Sequence, residues 1–153
     1  MKIIILIIFF NLTIVPTLTY SETDLKQLPP CTEIISPVKG VSENTRGVAL
    51  IYNIEREFND QRTSISIHAV HMPDPSWFGD YESYEVLAYI PNEISWTFPL
   101  IQYEKQNWAG TWDEISATKR PTRLKVRVFN SKTNLPGPVI LEKNISCENQ
   151  STN

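Results

Sequence analysis

TRLKVRVFN, residues 122–130, alternates strictly: Leu124, Val126 and Val128 face one way and Arg123, Lys125 and Arg127 the other. A period of two is that of a β-strand with one face on a core and one in water. The same signal recurs on both sides. Val48, Leu50, Tyr52 and Ile54 alternate with Ala49, Ile51 and Asn53, which reads as a mostly buried strand. Ile65, Ile67 and Ala69 alternate with Ser64, Ser66 and His68 in a second that runs to Met72. Tyr84, Val86, Ala88 and Ile90 make a third, stopped by Pro91-Asn92. Ile94, Trp96, Phe98 and Leu100 make a fourth, which Pro99 assigns to a sheet edge because proline cannot donate to a ladder. Trp112 to Ile115 forms a short fifth, residues 123–128 the sixth, and Val139 to Ile145 a seventh after the turn at Asn134 to Pro138.

No window carries a sustained 3.6-residue period, and eleven prolines are spread along the chain. Short strands separated by turn signals predict an all-β fold, a single antiparallel β-sandwich of about seven strands. Its domain spans residues 48–147, after a signal segment at 1–21 and an extended lead-in at 22–47, with a polar tail at 148–153.

The signal segment is read from MKIIILIIFFNLTIVPTLTYS. Lys2 precedes an apolar run from Ile3 to Phe10, and small Thr19 and Ser21 sit at the spacing a signal peptidase accepts, with cleavage after Ser21. Asn11 and Pro16 interrupt the run before it reaches the ~20 residues of a bilayer span. The expectation is therefore a secreted protein with no membrane span. Loss of Lys2 takes the formal charge from -3 to -4, and no basic block offers itself to phosphate, so no nucleic-acid partner is expected.

An even cysteine count in an exported chain predicts a disulfide between Cys31 and Cys147. Neither cysteine belongs to a C-x-x-C pair, so thiol redox catalysis and structural zinc lack their usual spacing. Asn144-Ile-Ser146 and Asn149-Gln-Ser151 match the N-glycosylation sequon, Asn149 being the less hindered; Asn11-Leu-Thr13 is removed with the signal.

The stretches SYEVLAYIP (residues 83–91) and TRLKVRVFNSKTNLPGPVI (122–140) resemble the third and sixth strands of a fibronectin type III or immunoglobulin-like domain. In the fibronectin family the sixth strand ends similarly in an asparagine and then a Gly-Pro turn, matched by Asn130, Gly137 and Pro138. Leu124 stands where the family carries a corner tyrosine, and Cys31–Cys147 is not the inter-sheet pair of immunoglobulins. The resemblance implies recognition of other proteins more often than catalysis.

Candidate chemistry is sparse. His68 and His71 are the only histidines, and on a strand a separation of three puts them on opposite faces, so no metal site is expected. Carboxylates gather at Asp74, Asp80, Glu82 and Glu85, and again at Asp113 and Glu114, without a spacing that pairs two of them for hydrolysis. No G-x-S-x-G elbow or phosphate-cradling glycine loop occurs, and no enzyme activity or cofactor is expected. Aromatic residues are the stronger signal. PDPSWFGDY (73–81) sets Trp77, Phe78 and Tyr81 in a turn-rich loop, and WAGTW sets Trp108 and Trp112 on one strand face with Gly110 between. Trp96 and one of that tryptophan pair are expected to fill the core, leaving the other more exposed with Trp77. These residues are the candidate binding site of a secreted, non-enzymatic module for an extracellular protein or glycan. The alternative is a carrier holding a lipid or other apolar ligand between the sheets.

Overall fold

The computed structural model describes residues 30–147. The segment read as a signal, 1–21, the first part of the lead-in, and the tail with Asn149 lie outside them. The described chain forms eight strands: β1 (Cys31–Pro37), β2 (Arg46–Glu55), β3 (Gln61–Val70), β4 (Ser83–Ile90), β5 (Ile94–Glu104), β6 (Asn107–Ser116), β7 (Arg123–Asn130) and β8 (Leu135–Asn144). All pairings are antiparallel, in the order β1-β2-β3-β6-β5-β4-β7-β8, and β8 returns to β1 to close a barrel. No helix among the described residues is long and apolar enough to cross a membrane.

The all-β, antiparallel expectation holds, but the strands close where a sandwich of seven was expected. Two strands change partners along their length. Cys31 to Ile35 of β1 pair with β2, whereas Ser36 and Pro37 pair with β8. Residues 94–100 of β5 pair with β4, whereas Ile101, Gln102 and Glu104 pair with β6. Strands that pass from one sheet to the other join the sheets at a corner. The eighth strand is β1, inside the segment read as a lead-in.

Cross-strand pairing sets which face is buried. In β7, Leu124, Val126 and Val128 are buried, as the alternation predicts, and β4 and β8 flank them. In β2 only the inner half of the expected buried strand is covered. Ala49 and Ile51 lie opposite Ile67 and Ile65 inside the barrel, while Val48 and Leu50 face out. Trp96, expected in the core, is half-buried and packs against the core's margin. Although β5 as a whole lies between β4 and β6, at Pro99 it is paired with β4 alone, so the proline has an edge-like position on its β6 side. It precedes the β6 ladder, which starts at Ile101, so its missing N–H breaks no bond on that side.

The connections β3→β4 and β6→β7 each pass over two strands, a Greek-key arrangement. The first of them, residues 71–82, carries three of the candidate aromatics. A disulfide joins Cys31 to Cys147, with Cα atoms 5.6 Å apart, as the cysteine count predicts.

Candidate functional site

The loop after β3 is irregular but firmly held. Met72 is buried, and its N–H donates to the Gln106 carbonyl at 2.9 Å. The buried Tyr84 hydroxyl donates to the Pro73 carbonyl at 2.8 Å, and burial together with Asp74 pushes its pKa up. Asp74 then caps a 3₁₀ turn, Pro75–Phe78, accepting from the Ser76 N–H at 2.9 Å and the Ser76 hydroxyl at 2.7 Å. Farther on, Asn130 donates to the Asp80 carbonyl at 2.7 Å.

This turn sorts the aromatics. Pro75 is buried and Phe78 packs against the core, which leaves Trp77 on the outer side of the turn, 77% exposed. Tyr81 is half-buried, its ring over Gly137 so closely that a Cβ there would stand 2.3 Å from the ring. Loop residues are thus divided between display and closure of the barrel end.

Trp108 enters from β6, opposite Ala69, and meets Tyr84 edge to face at 5.1 Å and 84°. It is 6% exposed and forms part of the wall of a cleft of about 320 Å³. Trp77, Asp74, Pro73 and Glu82 line the cleft from the loop, and Gln102, Lys105 and Gln106 from the β5–β6 hairpin. Trp112 does not join it. Trp108, Gly110 and Trp112 do share the inner face of β6, opposite Ala69, Ile67 and Ile65. Four residues at ~3.4 Å rise nevertheless separate the two indoles along the strand by about 14 Å. Trp112 stacks on Phe98, 6.2 Å between centroids. Gly110 makes room for the β5 backbone: a Cβ there would lie 2.6 Å from the Pro99 carbonyl oxygen.

The acids of the cleft are held as acceptors. The Ser76 hydroxyl and N–H hold the Asp74 carboxyl below its usual range, and the Ser131 hydroxyl and N–H do the same for Glu82. Both are ionised at neutral pH and positioned to receive hydrogen bonds. Sequence reading finds Trp77 and Trp108 but misses Gln102, Lys105 and Gln106. Gln102 lies near the end of β5, and Lys105 and Gln106 form the turn of a hairpin whose strands bring it beside residues about 30 positions earlier.

A family model described as "SPbeta prophage-derived uncharacterized protein YoqH" matches residues 27–149. The chain belongs to the YoqH family. The protein of that description from Bacillus subtilis (strain 168) is 48% identical over 123 residues, covering 77% of this chain and 82% of the relative. No solved structure matches the chain. The span matched by the YoqH family contains all eight strands, both cysteines and every residue of the cleft.

The other candidate groups of this YoqH-family chain are engaged elsewhere. His68 faces out from β3 and is hydrogen-bonded to the Tyr103 hydroxyl, while His71 lies just past the strand end at φ 53°. The acids do not gather into one cluster: Glu85 is buried and ion-paired with Arg127 at 2.6 Å, and Asp113 accepts from Ser64 at 2.6 Å. Along the basic row, Lys125 sits 6.0 Å from the Tyr89 ring centroid. Cys31, Cys147 and Glu33 lie close together, but the sulfurs are bonded to each other and Glu33 pairs with Lys143 at 3.1 Å. Asn144, the sequon residue inside the described chain, is exposed.

Proposed function

We propose that the protein is a secreted, non-enzymatic interaction module that binds an extracellular protein or glycan in the cleft between Trp77 and Trp108. The observation that carries this reading is an indole 77% exposed on a turn that hydrogen bonds hold in place. A rigid aromatic held in place supplies contact area for little lost rotamer entropy. A volume of about 320 Å³ suits a short oligosaccharide or a few peptide residues. The two ionised carboxylates accept hydrogen bonds from hydroxyls or amides, and a carboxyl held below its usual range is a poor general acid.

Export is supported by the N-terminal segment and by the disulfide, a bond that persists in oxidising compartments. The finer fold reading, a fibronectin-like sandwich, treats β1 and β5 as corner strands shared by two sheets. The carrier alternative needs apolar space between those sheets, and Tyr84, Phe98, Leu100 and Trp108 fill the interior there.

Two single substitutions test the cleft. Calorimetric titration against a panel of neutral oligosaccharides and short peptides identifies a binder. Trp77→Ser should then weaken it at least tenfold with the melting temperature nearly unchanged, because the side chain is outside the core. Phe78→Ser should lower the melting temperature by several degrees. Full-strength binding by Trp77→Ser removes the cleft from consideration.

A further inference from the structure

The outer face of the sheet β1-β2-β3-β6-β5 carries exposed apolar side chains in register. Ile34 lies opposite Val48, Val48 opposite His68, His68 opposite Ala109, and Ala109 opposite Ile101. One continuous row therefore crosses all five strands. Ile34 is 63% and Ile101 69% exposed at its two ends, with Val48 partly exposed between them. Leu50 and Tyr103 extend the patch, and the Tyr103 ring leans on His68 with centroids 5.3 Å apart. The next row, Thr32, Leu50, Ser66 and Thr111, is uncharged as well. On the opposite sheet, Arg123, Lys125, Arg127, Glu85 and Glu142 alternate with the core residues.

We propose that this face is the interface of a two-fold dimer, its occupant being the same face of a second copy of the chain. Three observations select that occupant. β1 and β5 join the two sheets into a barrel, so strand addition has only the partly unpaired stretches of these strands, and the broad sheet face is the larger surface on which a second molecule docks. The face carries no charge along its central rows, so two copies meet without like-charge repulsion and a charged partner finds nothing to pair with. The size reaches the lower bound: with the Tyr103 row, which carries Arg46 at its β2 end, added to the two uncharged rows, five strands at ~4.8 Å and three rows at ~6.8 Å cover about 24 by 20 Å, so two faces bury about 1,000 Å², the minimum for a specific interface. A two-fold axis near Ser66 sets the Ile34 end of one copy over the Ile101 end of the other. This inference does not rest on the Trp77 cleft.

Sedimentation equilibrium of the protein purified from expression of the full chain tests it. The expected result is a dimer mass from about 10 µM upward that persists in 0.5 M sodium chloride, because apolar contact is not screened by salt. Ile34→Lys combined with Ile101→Lys should weaken association at least 100-fold, and Ser66→Arg should do the same from the centre of the face without removing an apolar side chain. Leu135→Lys, an exposed apolar site on β8, should leave the dimer unchanged. A wild-type protein that stays monomeric at about 200 µM overturns the proposal, including when the face instead takes up lipid vesicles or another protein. A dimer undiminished by Ser66→Arg and by the folded double variant overturns it equally.

Discussion

Gly110→Ala tests the corner at which β5 joins the two halves of the barrel. The added Cβ would stand 2.6 Å from the Pro99 carbonyl oxygen and 3.0 Å from Leu100 Cδ2. Ordinary contact begins near 3.4 Å, so the carbonyl must retreat by about 0.8 Å. The oxygen belongs to backbone, next to a proline with its φ already fixed, and no rotamer change relieves the clash. Overpacking with no flexible neighbour falls at the upper end of its usual range, about 2–3 kcal/mol, or roughly 8–12 °C in melting temperature for a domain of this size. Gly40→Ala is the control of opposite kind: φ is +95° with nothing within 4 Å of the added carbon, so only backbone strain of about 1–2 kcal/mol applies. Thermal and urea unfolding of both variants measure the difference. A Gly110→Ala protein within about 0.5 kcal/mol of wild type refutes the close approach of β5 and β6, and with it the reason given for this glycine.

Three further outcomes follow from the same contacts. Cys31 and Cys147 should be inert to maleimide in the native protein, and reduction should cost about 4–5 kcal/mol, since the bond closes a loop across 116 positions. Tyr84→Phe should cost about 1–2 kcal/mol by orphaning the Pro73 carbonyl, and should speed amide exchange through residues 73–82. Burial opposes ionisation of Glu33, but the Ser146 N–H and the Lys143 ammonium outweigh it and hold its pKa below the usual 4.5. A depressed carboxyl contributes stability above that value and loses it as pH falls through the folded pKa, so Glu33→Gln should flatten the acid limb of the stability profile below about pH 4.5.

The alternation in β7 was legible because that strand has one buried and one more exposed face, a contrast written directly into residues 123–128 as alternating Leu/Val and Arg/Lys. The disulfide was legible because two cysteines have only one way to pair. The inner face of β2 was not. Both of its faces are apolar, so only the pairing with Ile65 and Ile67 decides that Ala49 and Ile51 go inside. The cleft was half legible: an indole among prolines marks a turn, but the turn's neighbour is chosen by a Greek-key connection that adjacent residues do not encode. Closure of the barrel depended on β1 and β5 changing partners midway. Local sequence sets which residues are extended and which face is dry; which strand lies alongside is a long-range choice, made by the packing of the whole core.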